Sequence, residues 1–255
     1  MNNIQRIAIA FLIGVGLSAC GGGGGSSDSP PVQNASPGGI WQGTDPISGL
    51  SVLGVITESG QLQFIRSDGT MYYGSVTTSG NNVSGSYTGV TPTGTTFSDG
   101  STSGTGTFSG TVQARQTLSG TLNFKTANGN STSGSGTFTF DSLYNSGSSL
   151  ATIAGNYTDT PDNAVVNVNS NGVIFSQSPT TGCVINGQVS IIDPAYDAYA
   201  ISYTFSSCTG AAAYLNGTTA MGLGVLDTSV SPVVAYIGVE NNAAGYVLTE
   251  AFPKQ

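Results

Sequence analysis

The chain contains no histidine, and that one absence removes a large share of catalytic chemistry. Without imidazole there is no Ser-His-Asp or Cys-His nucleophile system, and the commonest general base near neutral pH is missing. Ordinary zinc sites, which draw on His or on several Cys, are excluded with it. Cysteine is scarce, with 3 in 255 residues, and charge is scarcer still, at 7% of residues. The balance is 5 Lys+Arg against 13 Asp+Glu, a formal net charge of −8. The cations after residue 20 (Arg66, Arg115, Lys125 and Lys254) are scattered and form no basic stripe. Such a chain repels phosphate backbones, so nucleic acid is not an expected partner. A Ser–Lys dyad would need Lys125 or Lys254, but the first has the Thr and Asn neighbours of a solvated lysine and the second stands near the end of the sequence. No strand, glycine-rich loop and helix occur in the order that cradles phosphate. No cofactor and no metal are expected, and the chain is read as a non-enzyme.

What is present is glycine, 38 residues of it, among short runs of Tyr, Phe, Val, Ile and Thr. Many short strands joined by tight turns have this composition, and no stretch after residue 20 reads as a long amphipathic helix. A weak internal repeat organises the strands. Gly39-Ile40-Trp41-Gln42-Gly43-Thr44 opens one copy and Gly155-Asn156-Tyr157-Thr158-Asp159-Thr160 the other, each followed by an apolar strand, a turn and another strand. Repeats of this length are duplicated domains. The first copy predicts strands near 39–45, 50–57, 61–66, 70–78, 81–89, 103–113, 116–124 and 134–141. The second predicts them near 153–159, 164–169, 172–177, 182–191, 198–206, 213–219, 221–227, 233–240 and 243–250. Hairpin turns are expected at Ser59-Gly60, Asp68-Gly69, Asn81-Asn82, Ser119-Gly120 and Asn171-Gly172. The Gly/Ser/Thr tracts at 100–110 and 129–139, interrupted by Phe108, Phe138 and Phe140, suggest hairpins with polar outer faces, which could face a glycan or simply solvent. The fold expected is all-β: two tandem related antiparallel meanders, up-and-down and barrel-like, of about eight strands each. The domain boundaries are 38–148 and 149–255.

The first twenty residues are read apart from the fold. Arg6 precedes an apolar run from Ile7 to Leu17, too short to span a bilayer. Leu17-Ser18-Ala19-Cys20 follows, and it resembles the lipobox of bacterial lipoproteins. That resemblance implies removal of residues 1–19, acylation of Cys20 and attachment to a membrane. Because Gly21 rather than aspartate follows the cysteine, the enterobacterial sorting pattern points to the outer membrane, with the periplasmic and surface faces both open. Residues 20–37 then form a tether: five glycines, Ser26-Ser27-Asp28-Ser29 and Pro30-Pro31. A flexible leash of this length holds a domain on the order of 20–25 Å from the lipid. A cysteine followed by polyglycine is similar to the anchors of surface lipoproteins of the transferrin-binding and factor-H-binding types.

Further resemblances bear on the body of the chain. The opening Gly-x-Trp is similar to the first strand of lipocalin-like barrels. Trp41 and, at the matching place, Tyr157 are therefore either core aromatics closing a barrel end or ligand-stacking residues. The run from Gly182 to Tyr199, taken with Gly39 to Thr44 and Asp141 to Gly155, resembles a set of uncharacterised proteobacterial lipoproteins, a likeness that carries no activity. In an exported, oxidising setting the remaining pair, Cys183 and Cys208, is expected to form a disulfide worth on the order of 3 kcal/mol. Asp159 with Asp162, and Asp193 with Asp197, are the candidate carboxylate pairs, for turn capping, for calcium, or for a minor carboxylate-based hydrolase. The expectation is an envelope lipoprotein that binds an unknown protein or ligand through its β domains, or a structural component of an envelope assembly.

Overall fold

Aromatic side chains on the inner face of a small barrel need room, and glycines on adjacent strands supply it. In the computed structural model Gly54 stands directly opposite Phe64, and a Cβ on Gly54 would meet the Phe64 ring at 2.2 Å. Gly106 is opposite Tyr87, with 2.3 Å left for a Cβ, and Gly89 is opposite Tyr72. In the second half Gly187 stands opposite Tyr203 in the same way, with 2.4 Å. Rings thus lie across glycine gaps on neighbouring strands, a cross-strand pairing that also fixes register. Much of the chain's glycine is accounted for here, inside strands.

The structure describes residues 34–255 apart from 160, 161, 242 and 244. The leader, Cys20 and the tether up to residue 33 lie outside the described residues. Eight strands build the first sheet: β1 (Gly39–Thr44), β2 (Ser51–Ile56), β3 (Gln61–Arg66), β4 (Met71–Ser79), β5 (Asn82–Val90), β6 (Ser103–Gln113), β7 (Thr117–Thr126) and β8 (Ser131–Asp141). Each pairs antiparallel with the next, and β1 pairs with β8 from Ile40↔Asp141 to Gln42↔Thr139, so the sheet closes into a barrel. Eight more build the second: β9 (Gly155–Asp159), β10 (Ala164–Val168), β11 (Val173–Gln177), β12 (Val184–Ile191), β13 (Tyr199–Ser206), β14 (Thr219–Asp227), β15 (Val234–Asn241) and β16 (Tyr246–Pro253). This sheet is also a consecutive antiparallel meander, nearly closed. Its two ends, β9 and β16, meet at a single bridge, Tyr157↔Lys254, extended by Gln255 N–H donating to Asn156 O at 2.8 Å. The expected all-β, two-barrel meander is the fold observed.

Three local expectations are corrected. No separate strand forms at 213–219: Gly210–Leu215 is a 3-10 helix, and Thr219 already opens β14. The small side chains of Ala211 to Ala213 cost little in a helical turn, and the Asn216 amide ties it down by bonding the Cys208 N–H and C=O at 2.8 and 2.9 Å. Ser119-Gly120 is no turn but lies within β7, where Gly120 makes room for the Phe108 ring. The β4–β5 turn falls at Gly80-Asn81, one residue earlier than expected, because Gly80 supplies the positive φ of 59°. The Gly/Ser/Thr tracts run along strands β6 and β8, with their hydroxyls outward and cross-linked, as in Thr121···Ser135 at 2.8 Å and Ser119···Thr137 at 2.9 Å.

Both barrels belong to one compact unit. Between them lies a third apolar cluster of Ile40, Val55, Tyr144, Ala198, Leu223 and Val225. The buried Gln63 of β3 reaches across to β14, where its Nε2 donates to Leu223 O at 3.1 Å and its Oε1 accepts from Leu223 N–H at 2.9 Å. Gly222 and Gly238 let it approach, since a Cβ at either would fall within 3 Å of the amide. Beside this lock the Arg115 guanidinium, ion-paired with Glu58 at 2.6 Å, lies over the rings of Tyr144 and Tyr196 at 4.8 and 4.7 Å.

Candidate functional site

The two barrels share a plan and differ in how they are filled. In each, one end carries the aromatic of the opening strand. Trp41 is fully buried and donates from Nε1 to Pro37 O at 3.1 Å; Tyr157 is buried and its hydroxyl donates to Ile153 O at 2.6 Å. Residues Asn34 to Pro37, read as the end of the tether, are held against the first barrel, with Ala35 N–H donating to Gly80 O at 2.8 Å and Ser36 bonded to Glu58. A short helix, Leu150–Ile153, stands at the Tyr157 end of the second barrel, with Ile153 in its core.

The opposite ends are where the barrels part. In the first, Asp45 follows β1 and is 3% exposed. It accepts from Ile47 N–H at 2.9 Å, Ser48 Oγ at 2.8 Å, Tyr72 OH at 3.2 Å and Arg66 Nη1 at 3.2 Å. Behind this satisfied cluster the barrel is packed with Phe64, Tyr72, Tyr87, Phe108 and Phe138, leaving a cavity of about 50 Å³. The acid therefore works as a cork.

In the second barrel the cavity is about 110 Å³. Ile153, Val189, Ile201 and Phe252 line its apolar part. Its polar lining comes from Asp159, Ser176, Tyr203 and Tyr246, residues near the strand ends that face away from the Leu150–Ile153 helix. Alternation along β11 puts Ile174 and Ser176 inward, and Ser176 is 3% exposed with its hydroxyl bonded to no described residue. Tyr203 and Tyr246 share a hydroxyl–hydroxyl contact of 3.2 Å, and burial pushes Tyr246 up to about 12. Alternation along β16 sets Tyr246, Leu248 and Phe252 in the cavity wall, and the half-buried Glu250 belongs to the same series. Glu250 reaches Asp159 across the gap between β16 and β9, where the ladder is unpaired beyond the Tyr157–Lys254 bridge. Burial, then the neighbouring Asp159, pushes the Glu250 carboxyl up to about 7; burial and Asp162 raise Asp159 as well. Two carboxyls in reach of each other and short of water each raise the other, so together they keep a proton more readily than either would alone.

Of the carboxylate pairs read from sequence, Asp159 and Asp162 do come together, with the Asp162 N–H bonding the Asp159 carboxylate, and Glu250 joins them. Asp193 and Asp197 serve separate backbones: Asp193 accepts from Ala195 N–H at 2.9 Å, and the buried Asp197 takes Leu226 N–H at 3.0 Å. Burial pushes Asp197 up to about 7. Among the described residues no three His, Cys, Asp or Glu side chains are grouped to hold a metal ion. A disulfide joins Cys183 to Cys208 beside the β12–β13 pairing of Val184 with Ser206, at the same end of the barrel as Asp159. Ser176, Tyr203, Tyr246 and Glu250 were not singled out from sequence. The signal for Glu250 was available: it is the one acid in an inward-alternating series that is otherwise apolar or aromatic. Comparison of the chain with protein-family models and with characterised proteins finds no match in either.

Proposed function

We propose that this chain is an exported, non-enzymatic binding protein, held to a membrane by lipid on Cys20, whose second barrel takes up a small, mainly apolar ligand. The observation that carries the reading is the contrast between the barrels. The first is corked by an ion pair and keeps a cavity of about 50 Å³; the second, on the same plan, keeps one of about 110 Å³ with a few polar groups at one end and a wall left unzipped beside it. Concave, apolar sites with a few convergent polar groups are the usual form of small-ligand sites. The anchor is supported by the lipobox, the glycine tether and the outer wall of β6–β8, which is hydroxyl-bearing where a membrane-spanning barrel would carry an apolar band. No helix among the described residues is long and apolar enough to cross a membrane.

Titration with benzyl alcohol, followed by amide NMR, tests the cavity. Shifts are expected at Ser176, Ile201, Tyr203 and Leu248, and they should vanish in Ile201→Trp, whose larger ring fills the space. Shifts confined to the first barrel, or none, would remove the reading. Incorporation of labelled palmitate, lost in Cys20→Ser, is the expected outcome for the anchor.

A further inference from the structure

The duplication shows what an acid at this place in the barrel requires. Asp45, just past the end of β1, is neutralised from within by Arg66, the last residue of β3, at 3.2 Å. On the corresponding strand β9, Asp159 stands at the place of Gly43, two residues before that of Asp45 and so on the same face, and the inward residues of the corresponding β11, Ile174 and Ser176, carry no charge. In place of a guanidinium, Asp159 has further acids beside it, Asp162 and Glu250. The buried Oδ1 atoms of Asp159 and Asp162 have no hydrogen-bond partner among the described residues. The ion pairs among the described residues all belong to Arg66 and Arg115, both in the first half. Lys254, the cation nearest in sequence, is committed elsewhere, its Nζ bonded to Thr152 O at 2.9 Å beside the Tyr157 ring. The remaining titratable groups facing Glu250 are Tyr203 from β13 and Tyr246 from its own strand, both neutral because burial raises them. Inside, Ser176 lines the cavity, 3% exposed, its hydroxyl bonded to no described residue.

We infer that the second barrel binds an organic cation, a protonated amine on a compact apolar body, with Asp159 and Glu250 as its counterions, Ser176, Tyr203 and Tyr246 near the amine, and Ile153, Val189, Ile201 and Phe252 around its apolar part. The inference rests on the ligand-binding reading above and adds the charge of the ligand. An ammonium offers three donors, enough to engage both carboxyls and supply the bonds that Asp159 lacks. A metal ion is disfavoured by the donor set, which is not grouped for one among the described residues. The cavity of about 110 Å³ suits a ring-sized body, being somewhat smaller than the roughly 150 Å³ apolar cavity known to admit benzene. An ammonium favours the charged form of the Glu250 carboxyl, so the amine and the proton compete for it.

The experiment titrates the full chain with three probes of one shape and three charges: benzylamine, benzyl alcohol and benzoate. Benzylamine is expected to bind about tenfold or more tightly than benzyl alcohol, the scale of a hydrogen bond to a charged group, and benzoate more weakly than either. Glu250→Gln should abolish the advantage of benzylamine over benzyl alcohol, and an unchanged amide spectrum of the first barrel certifies that the variant is folded. Because the Glu250 carboxyl gives up its proton around pH 7, benzylamine affinity should rise between about pH 6 and pH 8 in the wild type and stay flat in Glu250→Gln. Equal affinity for benzylamine and benzyl alcohol, or a benzylamine advantage that survives Glu250→Gln, overturns the inference and leaves the apolar-ligand reading standing. If none of the three probes binds, both fall together. Should Glu250→Gln fail to fold, the wild-type ranking of the three probes decides alone.

Discussion

At the scale of single residues, glycine is the residue this chain leans on most, and it serves two ends. In turns it gives the positive φ that other residues resist, as at Gly60, with φ of 87° and the Val76 carbonyl 2.1 Å from where a Cβ would sit. Inside strands it is absence of side chain that counts. Gly54→Ala would drive a methyl into the Phe64 ring between strands that cannot part, and overpacking of this kind typically costs about 1–3 kcal/mol. Chemical denaturation of Gly54→Ala should show that loss, while Thr107→Ala on the exposed outer face of β6 should stay within about 0.5 kcal/mol of wild type. An unchanged Gly54→Ala would mean that the ring has room to swing away. The two uses of glycine look alike in sequence. Gly120, preceded by a serine, reads as a turn, and only the ring of Phe108 from the adjoining strand reveals it as a gap filled from next door. Glu250 stands out locally as the one acid of its inward series, but its meaning comes from Asp159, far away in the chain, across the seam.

At the scale of elements, period-two alternation and turn chemistry made most strands legible, since a barrel strand has one wet face and one dry face. The element read wrongly, at 213–219, lies in a loop governed by side-chain bonds. The alternation of small and apolar residues there mimics a strand, and nothing local announces that Asn216 will tie it to Cys208. That loop leans on the disulfide. Cys183–Cys208 clasps the hairpin of β12 and β13 at its open end, closing a loop of 25 residues. Replacing both cysteines by serine should lower the unfolding free energy by about 3 kcal/mol, with the second barrel losing amide protection before the first. Equal loss of protection in both barrels would show that the bridge stabilises the whole molecule and not this hairpin.

At the scale of the molecule, the duplicated layout was legible from Gly39–Thr44 and Gly155–Asp159, but the way the two barrels join was not. The join depends on Gln63, a buried polar residue, and on glycines of two other strands, Gly222 and Gly238, that make room for it. Gln63→Leu should strand the Leu223 N–H and C=O in a buried interface, at about 1–3 kcal/mol for each group left without a partner. Calorimetry is expected to show one transition for the wild type and two for Gln63→Leu, as the barrels lose their coupling. A single transition at the wild-type temperature would show that the apolar cluster around Ile40 and Val225 suffices as the link. Closure also separates the halves. The first barrel has no strand left bare, whereas the second, bridged at Tyr157 and Lys254 alone, keeps two strand margins that are not fully zipped. Such margins invite a third strand from another molecule, and buried or inward charge is a standard defence against that. Asp159 and Glu250 stand on the two lips of the gap, so any strand laid into it must bring its own compensation. The opening can therefore persist as an entrance without becoming a place where copies of the chain stitch together.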